Sequence, residues 1–194
     1  RQMCIRDRVS ELLAQFPKVG LALNPTPLHP MQRLQQDLGC GPLFIKRDDL
    51  NGLGVGGNKI RNLEYLLGDA LAQGKKTILA SGQTQSNLCS LCAAACCRLG
   101  LRCVLVHNSP PPKQLEGNAL LNHLLGAKEY YIQSALNVSD PSKMETELRP
   151  LKNTRDFFKK IIISKSSMKP WIDDDGILHL GLYEFLLNEA ALDL

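Results

Sequence analysis

An α/β fold built on a parallel sheet is what this sequence predicts, and three observations carry the prediction. Short apolar runs rich in strand-forming residues stand at 77-TILAS-81, 102-RCVLVH-107 and 129-EYYI-132. Between them lie stretches whose apolar residues recur at helical spacing, and Gly74 and Gly100 each stop such a stretch. Strand, helix, strand, helix, strand at this spacing leaves room for right-handed crossovers, which parallel strands require.

Taken in order, 1-RQMCIRDR-8 has no periodicity and reads as a non-native leader outside the fold, while 9-VSELLAQF-16 carries a short helical pattern. The three prolines of 24-NPTPLHP-30 demand an extended or turned backbone. The run 42-PLFIKRDD-49 looks like a strand ending in charges and leads into the glycine loop 52-GLGVGG-57. Leu63, Leu66, Leu67, Ala70 and Leu71 then define an amphipathic helix. After 77–81 comes the polar loop 82-GQTQSN-87, and Leu88, Leu91, Cys92, Ala95, Cys96 and Leu99 mark one face of the next helix. The segment 115-LEGNALLNHLLGA-127 is the third helical pattern. Beyond about residue 133 the pattern weakens, and 149–169 carries seven Lys or Arg against one acid. That stretch reads as a solvated face or tail, with a basic membrane-surface helix as the sharper alternative.

At 194 residues, 44% apolar and 22% charged, the chain can bury one core and divide into two small lobes. A net charge of +4 with 5% aromatics argues against nucleic acid and suits a small anionic ligand. No apolar run is long enough to span a membrane and no secretory signal is visible, so a cytoplasmic location is expected, with organelle import left open by the uncertain N-terminus. Four of the seven cysteines crowd into 89-CSLCAAACC-97. Cys89, Cys92 and Cys96 share a helical face, but a structural zinc site needs a fourth ligand, so no metal is expected and the thiols are read as small buried hydrophobes.

Two stretches carry chemistry. In 52-GLGVGGNK-59 a lysine sits where a helix begins, the wrong charge for the positive end of a helix dipole. A dinucleotide site would want an acid near Lys76, Thr77 or Ile78, and a phosphate loop would want Gly before and Ser or Thr after Lys59, where Asn58 and Ile60 stand. A lysine kept neutral for imine formation fits better, since a helix N-terminus and partial burial both disfavour the ammonium. A flexible glycine loop with an exposed lysine is the plainer reading of these residues. The second stretch, 81-SGQTQSN-87, places N–H groups at a strand end and helix start, a seat for a carboxylate or phosphate; Ser86 or Asn87 acting only as an N-cap is the plainer reading there.

The series 26-TPLHPMQRL-34, 45-IKRDDLNGLGVGGNKIRNLEYLLGDAL-71 and 82-GQTQSN-87, continued by 99-LGLRCVLV-106 and 117-GNALLNHLLGA-127, closely resembles the D-cysteine desulfhydrase and 1-aminocyclopropane-1-carboxylate deaminase family. These are pyridoxal-phosphate enzymes of the tryptophan synthase β type. The resemblance implies a three-layer αβα parallel sheet of fold type II with the large domain incomplete. It divides the chain into a leader (1–8), an N-terminal part of the large domain carrying the lysine (9–59), a small α/β domain (60–132) and a divergent or truncated tail (133–194). It implies that Lys59 holds the cofactor as a Schiff base and later moves the substrate α-proton, that Asn58 and Asn87 also bind the cofactor, Asn87 at its phenolic oxygen, and that Ser86 acts as nucleophile or proton carrier. The amides of Gln85, Ser86 and Asn87 would seat the substrate carboxylate.

The implied reaction is β-elimination from D-cysteine to pyruvate, ammonia and sulfide, with deamination of the cyclopropane amino acid as the alternative and a catalytically inactive remnant as a reading of another class. The expected partners are a small amino acid and, for a full-length protein, a second copy as a homodimer, with neither nucleic acid nor membrane. Departures from the family are Leu88, where His or Gln is usual, and Ile60 and Asn62, where Thr and Lys are usual. Asp173, Asp174 and Asp175 stand where a phosphate loop would carry small neutral residues. An unpaired sheet edge with exposed apolar surface is expected.

Overall fold

Where the N-terminal third of the chain is rich in proline and charge, only short elements form. The computed structural model describes residues 5–135, 140–152, 158–165 and 168–194. Helix α1 (Ile5–Leu13) starts four residues before the helical pattern read at Val9. Strand β1 (Leu28–Pro30) and β2 (Phe44–Lys46) pair antiparallel, Leu28 opposite Lys46, as an exposed two-stranded ribbon around α2 (Gln32–Leu38). The strand expected in 42–49 is therefore paired within its own segment. Gly39 ends α2 in the left-handed conformation, with a φ of 59° that a side chain disfavours.

Residues 18–23 are tied to α3 (Ile60–Ala72) by one buried carboxylate. Glu64 accepts the N–H of Leu21 and of Ala22, both at 2.9 Å, and meets Lys18 Nζ at 3.0 Å. Gly68, one turn further, lies under the same segment, and a Cβ there would come within 2.6 Å of the Pro17 carbonyl oxygen. Arg98 Nη1 donates to Leu21 O at 2.9 Å from the neighbouring helix.

Strands β3 (Thr77–Gly82), β4 (Arg102–His107) and β5 (Lys128–Ala135) are parallel neighbours, as the crossover spacing predicts. Helix α4 (Asn87–Leu99) connects the first pair and α5 (Gly117–Leu124) the second. Gly100 closes α4 in the left-handed region, as its place after the last periodic leucine suggests. Leu91, Cys92, Ala95 and Cys96 of α4 pack with Ile60, Leu63 and Leu67 of α3 and with Cys103 and Leu105 of β4 in one core.

The sheet does not stop at residue 132. Strand β6 (Lys159–Ser164) and β8 (Ile177–Gly181) extend it in parallel, and β7 (Trp171–Ile172) closes it antiparallel to β8, in the order β3-β4-β5-β6-β8-β7. The stretch read as a solvated face thus contains a buried strand. Ile161 and Ile162 are essentially inaccessible, and a strand covered on both faces carries a continuous apolar run with no alternation to reveal it. Residues 153–157, also in that stretch, lie outside the described residues, as does the start of the leader, 1–4.

Helix α6 (Pro141–Lys152) covers the face holding Tyr131, Ile162 and Ile177, while α7 (Leu182–Leu187) and the turn Ala191–Asp193 cover the opposite face at Ile161, Ile163, Leu178 and Leu180. The result is helix, sheet and helix in three layers. At the β3 end the second layer is open: Leu79 is 63% exposed and β3 has one neighbour among the described residues. No helix among the described residues is long and apolar enough to cross a membrane.

Candidate active site

The K-R-D-D run closes on itself. Lys46 Nζ donates to Thr26 O, Arg47 Nη2 meets Asp49 Oδ2 at 2.6 Å, and Asp48 accepts from Thr26 Oγ1 at 2.8 Å and from Arg61 Nη1 at 2.6 Å. The Arg61 guanidinium, followed by the Thr26 hydroxyl, holds the Asp48 carboxyl below the ordinary carboxylate range. Buried Asn51 sets the loop that follows, donating from Nδ2 to Gly57 O at 2.9 Å and accepting Leu53 N–H at 3.1 Å, while Gly57 N–H reaches Asp48 O at 2.8 Å.

Gly56 has no room for a side chain: its φ is +77° and a Cβ would lie 2.3 Å from Asp49 O. Gly56→Ala is expected to destabilise the chain by about 1–3 kcal/mol through backbone strain and overpacking. A urea titration checks it, and a midpoint equal to the wild type would mean that the loop relaxes freely.

This loop delivers Lys59 to the start of α3, where it occupies the N-cap position without a side-chain capping bond. The partial burial expected for Lys59 is not found; the side chain is exposed, as is Asn58. Among the described residues its amine has no hydrogen-bond or ion-pair partner, in contrast to Lys46, Arg47 and Arg61 around it.

The turn before α4 is clamped from the α5 side. Asn118 donates its N–H to Gln85 Oε1 at 2.8 Å, and its Nδ2 to Gln85 O at 3.0 Å and Asn87 Oδ1 at 2.8 Å. Gln85 Nε2 returns a bond to Glu116 O at 3.1 Å. Thr84 N–H donates to Ser109 Oγ at 2.9 Å and the two hydroxyls lie 2.8 Å apart. Ser86 is the N-cap of α4 and accepts the Cys89 N–H at a long 3.4 Å. The N-cap reading and a seat for an anion coexist here: Asn87 and Leu88 head the helix, and first-turn N–H groups have no intrahelical acceptor. With its oxygen occupied by Asn118, the exposed Asn87 amide offers its donors.

Beneath the turn, His107 is fully buried with Nδ1 at 3.1 Å from Gly82 O and Nε2 at 2.7 Å from Glu129 Oε2. A carbonyl can only accept, so Nδ1 carries a proton. The thiol of Cys89, next to Ser86, is pushed up by burial.

The sequence brings Gln85, Ser86 and Asn87 together by adjacency, and the fold sets the lysine loop against the same helix. Gly57 and Gly54 lie on α4, where Cβ atoms would fall 3.5 Å from Leu91 Cδ1 and 3.4 Å from Ala94 Cβ. Asn118, Thr84, Ser109 and the His107–Glu129 pair were not read as site residues. Asn118 stands in a quoted motif, at a helix start, and a polar residue there is the signal that could have found it. Thr84 lies within the turn itself, whereas Ser109, His107 and Glu129 are brought to it only by the strand order. Asp173, by contrast, builds a hairpin turn: its Oδ1 accepts the N–H of Asp175 at 3.0 Å and of Ile177 at 2.9 Å.

An exposed primary amine, an amide donor and free helix N–H groups together suit a ligand with an aldehyde beside a phenolic oxygen and a substrate carboxylate. Comparison with known proteins gives the family. Residues 19–156 match the model of the family described as pyridoxal-phosphate dependent enzyme. A Pyrococcus abyssi relative is 44% identical over 122 residues, covering 63% of this chain and 36% of its own. The 1-aminocyclopropane-1-carboxylate deaminase of Burkholderia cenocepacia is 40% identical over 133 residues, covering 65% of this chain and 39% of that protein. A crystal structure described as an ACC deaminase homologue superposes with a TM-score of 0.60 at 32% identity, covering 84% of this chain and 48% of that one. The chain spans well under half the length of the curated relatives it matches, and just under half of the solved homologue.

Proposed function

Because the chain belongs to the pyridoxal-phosphate dependent enzyme family, we propose that it carries the lysine-bearing part of an enzyme that deaminates a small amino acid, with 1-aminocyclopropane-1-carboxylate as substrate. One observation carries the reading: an unengaged amine at the start of α3 and an Asn118-locked amide turn at the start of α4, on two helices that pack together. The deaminase names among the relatives favour the cyclopropane amino acid over D-cysteine.

When bound, pyridoxal phosphate supplies a ring that withdraws electrons from the substrate α-carbon. Lys59 Nζ would hold the cofactor at its aldehyde carbon and would serve as the amine that carries protons. Asn87 Nδ2 would donate to the cofactor's phenolic oxygen, since Asn118 holds the amide with its oxygen engaged. First-turn N–H groups of α4 receive the carboxylate. The Ser86 hydroxyl, engaged only as a weak acceptor, is free to donate or to attack. The α-carbon of the cyclopropane substrate bears no hydrogen, so the reaction starts at a ring carbon and needs such a group. Water and substrate leave as 2-oxobutanoate and ammonia.

The test is product analysis of the cofactor-loaded protein with each substrate. 2-Oxobutanoate and ammonia from the cyclopropane amino acid are expected. Pyruvate, ammonia and sulfide from D-cysteine alone would favour the elimination, and Leu88 is the residue that leaves this choice open. No product from either would favour the inactive remnant. Asn118→Ala is expected to raise KM about tenfold, roughly 1.4 kcal/mol of lost positioning, with a smaller change in kcat. Steady-state kinetics checks it; an unchanged KM would mean that the turn holds its shape alone.

A further inference from the structure

We propose that Cys92, Cys96 and Cys103 form a three-sulfur site for one copper(I) ion, independent of the Lys59 site. Their sulfurs all lie within 4.8 Å of one another. Cys92 and Cys96 stand four residues apart on α4 and so share a face, and Cys103 enters from β4, beside Ile78 of β3. Linear spacing hides this third sulfur. Cys89, the sequence's own partner for the other two, is not in the group.

Donor chemistry selects the ion. The group contains no carboxylate and no imidazole, and sulfur-only sets favour soft ions such as copper(I), zinc and iron–sulfur clusters. Structural zinc wants a fourth ligand, which the surrounding leucines and alanines of the core do not provide. Copper(I) is satisfied by three sulfurs. A metal–sulfur bond near 2.3 Å in a trigonal plane sets the sulfurs about 4.0 Å apart, so the observed cluster needs little rearrangement. All three residues are buried, so water does not complete the shell. On binding, copper–sulfur bonds replace S–H bonds and the protons pass to buffer, with no change in oxidation state. Cys92 and Cys96 lie about 7.5 and 13.5 Å along α4 from Asn87 at 1.5 Å per residue, so an occupant need not touch the substrate turn.

The test uses the full chain, reduced and without oxygen, competing with the indicator bicinchoninate for copper(I). One equivalent withdrawn from the indicator is expected for the wild type and for a Cys40→Ser/Cys97→Ser double variant, which lacks the two thiols exposed among the described residues. Cys103→Ser is expected to bind at least tenfold more weakly. Unchanged binding in Cys103→Ser, or binding lost with the exposed thiols, would overturn the site. Should Cys103→Ser fail to fold, X-ray absorption of the wild-type copper complex decides: a shell of three sulfurs supports the proposal, and nitrogen or oxygen in the shell refutes it.

Discussion

Replacing Lys59 by arginine is expected to lower turnover by at least ~10³-fold, the scale on which losing a covalent or proton-moving group slows an enzyme. Arginine keeps the positive charge but cannot supply a neutral amine to an aldehyde. Since Lys59 is exposed and makes no hydrogen bond or ion pair among the described residues, the substitution removes no packing and the melting curve should stay put. Lys59→Ala should fail equally and recover part of its activity with added methylamine. Stopped product assays with both variants measure it. Activity within tenfold of wild type in Lys59→Arg would mean that another group carries the chemistry.

Glu64→Ala is the largest expected loss of stability, about 2–4 kcal/mol, because two backbone N–H groups at Leu21 and Ala22 lose their acceptor. Glu64→Gln keeps one oxygen and should lose less. The effect reaches the site through Leu23, whose N–H donates to Asn51 O at 2.8 Å, so loosening 18–23 also loosens the loop ahead of Lys59. Burial raises the Glu64 carboxyl, but the N–H groups of Ala22 and Leu21 and the Lys18 ammonium outweigh it and hold the group below its ordinary 4.5. A carboxyl depressed by folding stabilises above its unfolded value, so this contribution is full above pH 4.5 and is lost as the pH falls through the folded value. Urea titrations at neutral pH and near pH 3 should show the wild type converging on Glu64→Ala in acid. A constant gap at both pH values would contradict the account.

Much of the sheet was legible because its first strands alternate with helices closed by glycines, a local signal at Gly74 and Gly100. Strand β6 was not, since seven basic residues across 149–169 mask three consecutive isoleucines that are buried on both faces. Lys59 and the 85–87 turn were legible as motifs, because a cation at a helix start and polar residues after a strand are locally odd. Their supports were not. Asn118 meets Gln85 and Asn87 only once α5 returns beside α4, and Glu129 meets His107 only once β5 pairs with β4. Cys103 joins Cys92 and Cys96 only once α4 packs against β4, which linear spacing does not show. The exposure of Lys59 was also misjudged, because sequence fixes its place at a helix start but not what covers it.

The function proposed for this chain depends on the Lys59 amine as the covalent link to the cofactor. Protein incubated with less than one equivalent of pyridoxal phosphate, reduced with borohydride and digested for peptide mass spectrometry tests it most directly. The pyridoxyl adduct is expected to concentrate on the peptide holding Lys59 and to be absent from Lys59→Arg. An adduct spread evenly over the surface lysines, or undiminished in Lys59→Arg, would contradict it.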